Sequence, residues 1–256
     1  MKRIIITINL IITIVMANPV LVHAGEISDR LNQYPEWSFP SNVKQTSQDL
    51  LYPNWMSGTW DVTSILVDQV APFAPEIVTP GFESNKSYLH QPINFKVRFQ
   101  QRSPFLSSLL SLPSLIASRQ PIVADREFNG LNIGQAYLGK DGILSVKTSP
   151  KNPNDQITFL PENNKLISRI TGRIQETSNV DEFFTTEITQ QIFQGSSLMY
   201  LNQVETTTAY HLLTKDTIEA EQVTAIYLSP KDPNYFKTIN HPVSLYRYQL
   251  KLRLLT

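Results

Sequence analysis

The chain of 256 residues contains no cysteine. That absence removes disulfides, every thiol nucleophile and every cysteine metal site, so stability must come from burial of a core. Histidine is almost as scarce. His23, His90, His211 and His241 are far apart, with no i,i+4 pair or other ligand spacing, so no metal and no cofactor is expected. Neither charge sign is in excess, with 22 Lys+Arg against 22 Asp+Glu, and there is no basic field for nucleic acid to neutralise. The sequence also has no Gly-x-Ser-x-Gly elbow, no phosphate-cradling glycine loop and no dinucleotide fingerprint.

The first residues have a secretory layout. Met1-Lys2-Arg3 is followed by an uncharged run from Ile4 to Met16, and Val22-His23-Ala24 before Gly25 fits a small-x-small cleavage site. Asn9 and Asn18-Pro19 leave the apolar run short of the ~20 residues that a bilayer span needs. Residues 1–24 are therefore read as a cleaved signal peptide. Its loss removes Lys2 and Arg3, taking the basic count from 22 to 20 against 22 acidic residues. Residues 25–51, broken by Pro35 and Pro40 with Tyr34, Trp37 and Phe39 between them, read as an irregular arm laid against the domain wall. The remainder, 52–256, suits one domain with a single core.

That domain starts where a loop with two tryptophans, Trp55 and Trp60, passes through Gly58 into a β-rich run ending at Val67. Trp60 is read as a large apolar plug under a barrel floor. Ile93, Phe95, Val97 and Phe99 alternate with polar residues, the pattern of a strand with one buried face. Further strands are expected over 133–138, 143–148, 156–160, 166–175, 183–193, 198–213, 218–228 and 243–255, with Gly139-Lys140-Asp141-Gly142 as a hairpin turn. Short links imply antiparallel pairing, and closure removes exposed edges, so the fold class is mainly β: a closed or nearly closed antiparallel barrel of about 8 to 10 strands. The last strand places Tyr246, Tyr248, Leu250, Leu252 and Leu254 on one face, and pairing it to the first strand brings Arg253 nearest Trp60.

One short helical segment is expected near 105–117, where leucines recur at three and four residues before Pro113. Phe105, Leu106, Leu109, Leu110 and Leu112 either cap the barrel or form a lip that touches a membrane. The charged stretch Ala124-Asp125-Arg126-Glu127-Phe128-Asn129-Gly130 reads as a loop ending in an Asn-Gly turn, with Arg126 as a candidate ligand contact. The most site-like strand is Glu205-Thr206-Thr207-Thr208-Ala209-Tyr210-His211. Alternation puts Glu205, Thr207 and His211 on one face and Thr206, Thr208 and Tyr210 on the other, so either set offers hydrogen-bonding groups to a cavity. Trp60, Arg126, Glu205, Thr207 and Tyr210 are the candidate ligand-binding residues, and no catalytic residue stands out.

Gly58-x-Trp60 at the start of the first strand, with an arginine near the end of the last, resembles the signature of lipocalins and other calycins. That resemblance implies a calycin-like barrel in which Arg253 packs across Trp60 and ties down the preceding turn. A more extensive resemblance runs through Tyr52-Pro53-x-Trp55, Gly58-Thr59-Trp60, Ala124-Asp125-Arg126, Phe128-Asn129-Gly130-Leu131-Asn132-Ile133, Val204-Glu205-Thr206-Thr207-Thr208-Ala209-Tyr210 and Val223-Thr224-Ala225-Ile226-Tyr227-Leu228-Ser229-Pro230. These motifs are similar to a family exported in cyanobacteria and found in plastids, which implies a periplasmic or thylakoid-lumenal location and no particular activity. The expectation is an extracytoplasmic protein holding a small lipophilic ligand in its barrel. The alternatives are a non-enzymatic factor for assembly or repair of a photosynthetic membrane complex, in peripheral contact with that complex or its membrane, and an isomerase or cyclase acting on a lipophilic substrate.

Overall fold

The computed structural model describes residues 25–102, 120–195 and 199–255. Ten strands follow one another in a single antiparallel sheet: β2 (Gly58–Val70), β3 (Pro92–Gln101), β4 (Ile122–Ala124), β5 (Ser145–Thr148), β6 (Asp155–Phe159), β7 (Lys165–Glu176), β8 (Glu182–Gln194), β9 (Met199–Thr214), β10 (Thr217–Leu228) and β11 (Ser244–Leu254). Their spatial order is β4-β3-β2-β11-β10-β9-β8-β7-β6-β5, and a two-residue strand, β1 (Lys44–Gln45), pairs with β7 beyond the end of β6. The last strand pairs with the first through Leu254↔Trp60 to Leu245↔Val70. The sheet curls into a nearly closed barrel, the mainly β architecture that the alternation predicted.

The barrel does not close strand to strand. Its edges, β4 and β5, are joined in the chain by helix α3 (Arg126–Leu138), which stands in the seam. Here the structure corrects the sequence reading. The expected strand at 133–138 is the second half of this helix, and Asn129-Gly130 lies within it rather than in a turn. The cause is local. Asp125 is the N-cap, its carboxylate accepting the Phe128 N–H at 3.1 Å, and Glu127 adds an acidic side chain to the first turn. Gly139-Lys140-Asp141-Gly142, expected as a hairpin, ends the helix and turns the chain into β5.

Two side chains fasten α3 across the seam. On one side Asn129 imitates a strand: its amide accepts the Arg98 N–H at 2.7 Å and donates to the Arg98 carbonyl at 3.2 Å. On the other, Glu127 accepts the Thr148 N–H at 2.8 Å and the Thr148 hydroxyl at 2.9 Å on β5. The Arg98 and Thr148 N–H groups at the two edges are thereby satisfied by the helix. The approach is close, since a Cβ at Gly134 would sit 2.6 Å from Ile143.

The sheet is buried on both faces. On the concave face Leu50, Met56, Trp60, Phe99, Phe183 and Leu252 form the barrel floor. On the convex face the N-terminal segment, with helix α1 (Glu26–Leu31), brings Ile27, Leu31 and Trp37 against Phe184, Val223 and Leu245. Phe39 adds an edge-on contact to Tyr227, with ring centroids 5.2 Å apart. Above the floor, the short helix α2 (Phe82–Asn85) packs Phe82 on Leu66 and Tyr246. Two loops of similar sequence, Ser149-Pro150-Lys151-Asn152-Pro153-Asn154 and Ser229-Pro230-Lys231-Asp232-Pro233-Asn234, make the same turn. Ser149 and Ser229 accept the N–H of Lys151 and Lys231, and Asn152 and Asp232 accept those of Asn154 and Asn234. The leucine-rich segment at 105–117 and the leader at 1–24 lie outside the described residues.

Candidate functional site

The strand register builds a hollow on the concave face. One row across the sheet runs Phe183, Tyr210, Ala220, Leu250, Ser64 and Ile93; the next runs Thr185, Thr208, Gln222, Tyr248 and Leu66. Between them and α3 lies a cavity of about 260 Å³. Val62, Phe95, Val97, Phe99, Leu250 and Leu252 form its apolar wall, and α3 contributes Ile133 and Tyr137. Ser64, Tyr210, Gln222, Thr224 and Tyr248 supply the polar groups. A second hollow of about 200 Å³ adjoins it, sharing Tyr137 and Tyr248 and bounded by Leu66, Asn85 and Tyr88. Tyr88 is held against Tyr137 by a 3.2 Å bond from its hydroxyl to the Tyr137 carbonyl.

Among the described residues, no Lys, Arg, His, Asp or Glu lines this cavity. Its titratable groups are three tyrosines, each pushed up. Burial and the nearby Glu187 carboxylate raise the Tyr210 phenol to about 12, against a hydrogen bond from Thr208. Burial raises Tyr137 and Tyr248 as well. All three stay protonated and neutral across physiological pH, so they are hydrogen-bonding groups rather than proton-transfer groups. Gln222 is part of a short chain. Its carbonyl accepts from Thr208 at 3.3 Å, and its amide donates to Thr224 at 3.4 Å.

Of the residues singled out from sequence, Tyr210 alone lines the cavity. Trp60 lies beneath it, fully buried in the floor, with its indole N–H donating to the Met56 carbonyl at 2.8 Å. Arg253 is beside it in register but on the other side of the sheet, exposed opposite Asp61. The expected packing of arginine across tryptophan does not form, because residues 253 and 254 alternate and it is Leu254 that faces inward. Leu254 comes so close that a Cβ at Gly58, where φ is +129°, would lie 2.6 Å from it.

Glu205 and Thr207 are on the convex face, under the N-terminal arm, and cannot reach the cavity. Glu205 is fully buried and accepts five hydrogen bonds: Arg30 Nε at 2.7 Å, Arg30 Nη2 at 2.8 Å, Trp37 Nε1 at 3.1 Å, the Tyr227 hydroxyl at 2.8 Å and the Thr207 hydroxyl at 2.9 Å. The Arg30 guanidinium also lies 4.3 Å over the Trp37 ring. This is a clamp that fastens the arm, with its carboxylate fully occupied.

Arg126 belongs to a second clamp, inside the barrel. It donates to Asp49 at 3.1 Å and to Glu187 at 3.5 Å, while Arg173 donates to Glu187 at 2.9 Å, to the Gln48 carbonyl at 2.8 Å and to Asn154 at 3.2 Å. Burial works against the Arg126 charge, but Glu187, Tyr52 and Asp49 outweigh it and hold the guanidinium above its ordinary value. Two arginines and two carboxylates compensate one another, tying the end of the arm to α3, β7 and β8. The charged stretch read as a loop is thus a buried structural joint.

The polar and helix-borne cavity residues that sequence reasoning missed are Ser64, Ile133, Tyr137, Gln222, Thr224 and Tyr248. Tyr248 was on the correct strand face but carried no polar pattern to distinguish it, and Tyr137 was hidden by the mistaken strand. Among the described residues no group of three or more His, Asp or Glu could hold a metal ion, and no helix is long and apolar enough to cross a membrane. No curated protein and no solved structure matches the chain. Residues 45–255, which span the barrel and the clamp around Glu187 but not the Arg30 and Trp37 that hold Glu205, match the family described as Domain of unknown function (DUF6816), and the chain belongs to that family.

Proposed function

We propose that this protein is a carrier that holds one small lipophilic molecule inside a calycin-like barrel. The observation that supports it is the cavity of about 260 Å³, apolar in most of its wall, with a few neutral polar groups gathered on one side. Such a composition suits a small-molecule site, and the volume lies just below the usual range of roughly 300–1,000 Å³, which suits a small ligand. Among the described residues the lining has no charged acid or base, which favours binding over chemistry. With residues 1–24 read as a cleaved leader, the carrier works outside the cytoplasm, in a periplasm or thylakoid lumen.

Native mass spectrometry with lipid extraction, on protein purified from its own host, tests this. A stoichiometric small molecule is expected, and it should be absent from Ile133→Trp, which places an indole in the cavity from a partly exposed helix position. A clean apo mass for the wild type would overturn the carrier reading and favour a role in assembling a membrane complex. Retention of the molecule by Ile133→Trp would place it elsewhere on the protein.

A further inference from the structure

We propose that removal of the leader also completes the fold: cleavage between Ala24 and Gly25 creates an α-ammonium that pairs with the carboxylate of Glu176 and locks the N-terminal arm onto the barrel. This rests on the reading of residues 1–24 as a cleaved leader, goes beyond it, and is independent of what the cavity holds. Gly25, half-buried, is the first residue of the arm, and Glu176 is the last residue of β7. Both oxygens of that carboxylate accept the Ile27 N–H, each at 3.1 Å. Gly25 lies directly against the same group. A Cβ there would be 2.0 Å from Oε2, so any side chain at position 25 would force the carboxylate off Ile27. The nitrogen on the same α-carbon is about 2.5 Å from that Cβ position, which puts it within about 4.5 Å of Oε2 and in range of an ion pair.

Charge supplies the reason for the pairing. While residue 25 is amide-linked its nitrogen is neutral, and burial, with the like charges of Glu26 and Asp29, raises the Glu176 carboxyl against the effect of the Ile27 N–H. Across an adjoining hollow of about 290 Å³ lie Glu182, His211 and Glu221, the first two 3.5 Å apart and the third 2.6 Å from Arg247. The arm's own cation, Arg30, is committed to Glu205. Hydrolysis by the export peptidase changes this balance. Water adds across the Ala24–Gly25 peptide bond, its oxygen going to the Ala24 carboxylate and its two hydrogens to the Gly25 nitrogen, which becomes an ammonium at neutral pH. The new charge opposes the upward shift of Glu176. It also ties down a chain end, where order is otherwise lost first. The arm is then held at three points: Gly25 and Ile27 on Glu176, Arg30 and Trp37 on Glu205, and β1 on β7.

Four chains test it: protein beginning at Gly25 with a free or an N-acetylated amine, each in the wild-type and the Glu176→Gln background. The free α-amino group is expected to titrate at least about 0.5 pH unit above its ordinary range of roughly 7.7–8.0, and to return to that range in Glu176→Gln. Acetylation restores the neutral amide and should speed hydrogen exchange over 26–42 by about threefold, the equivalent of that shift, with β9 and β10 unchanged. In Glu176→Gln it should add nothing, whereas a mere disturbance of packing would act in both backgrounds. By intact mass, the protein from its own host should begin at Gly25. An α-amino titration indifferent to Glu176→Gln, an equal response to acetylation in both backgrounds, or a host protein cut at another bond would overturn the inference and leave the leader reading standing. A host protein that retains residues 1–24 would overturn both.

Discussion

Strands β9 and β10 carry two sites back to back, and they are opposites. On the convex face Glu205 is surrounded by five donors and sealed beneath the arm. On the concave face, one side-chain alternation away, Tyr210, Gln222 and Thr224 border a hollow together with Tyr248. The convex site contains the more conspicuous chemistry: a buried carboxylate, an arginine, a tryptophan and a tyrosine. Yet nothing is left there to bind. Fully satisfied polar groups hold a structure together, whereas spare hydrogen-bonding capacity beside empty volume is what a ligand can use.

The comparison can be broken in several ways. The largest effect is expected from Glu205→Ala. Removing the acceptor leaves Arg30 as a buried, uncompensated cation, a change that costs about 3–5 kcal/mol. Chemical denaturation should show the loss, and limited proteolysis should cut first within 26–42. A variant of unchanged stability that instead lost its ligand would reverse the roles assigned to the two faces.

Next in size is Asn129→Ala in the seam. It removes the acceptor of the Arg98 N–H on β3, while the Arg98 carbonyl keeps the Asp125 N–H at 2.9 Å, and leaving one such group unsatisfied costs about 1–3 kcal/mol. Hydrogen exchange should quicken in α3 and β3 ahead of β8 and β9. Uniform loss of protection throughout the barrel would contradict α3 as a separate closure element.

Ile133→Trp should change stability by no more than about 0.5 kcal/mol, as an exposed surface position does, yet eliminate ligand binding. A denaturation midpoint measured beside the native mass spectrum makes that distinction.

The smallest effects concern pH and have opposite signs on the two faces. At the seam, the Thr148 N–H leads in lowering the Glu127 carboxyl below its ordinary value, so its stabilisation is present above the unfolded value and is lost as pH falls through the lowered one. Under the arm, burial raises Glu176, which accepts the Ile27 N–H, so its contribution is full below the unfolded value and is lost as pH rises through the raised one. Denaturation midpoints across the acid range should show Glu127→Gln flattening the acid limb and Glu176→Gln flattening the opposite one. Matching profiles in the two variants would refute the assignment.

Much of the barrel could be read before any coordinates. Period-two alternation over Ile93 to Phe99 and Tyr246 to Leu254 identifies strands and their faces, because a half-buried strand needs apolar residues on one side only. The alternation over 204–211 likewise separated the two sets of side chains correctly, but it could not say which set faced inward. Both faces of β9 are covered, one by the barrel and one by an arm from far upstream in the chain. The helix at the seam was misread because Asn129-Gly130 is a strong turn signal, while the competing signal, Asp125 as an N-cap, is a single side chain. Its weak apolar stripe reflects its position, half in the seam and half over a cavity.

From sequence alone follow the antiparallel β class, the lack of thiols and the strand faces, since these depend on residue types and short-range periodicity. The tertiary structure decided which polar residues are free. Glu205 looks available until Arg30 and Trp37 arrive from about 170 positions away, and Tyr248 looks like another core aromatic until the register places it beside empty space. Satisfaction of a hydrogen bond is a property of the partner as much as of the residue, and here the partners are brought together only by the closing of the barrel.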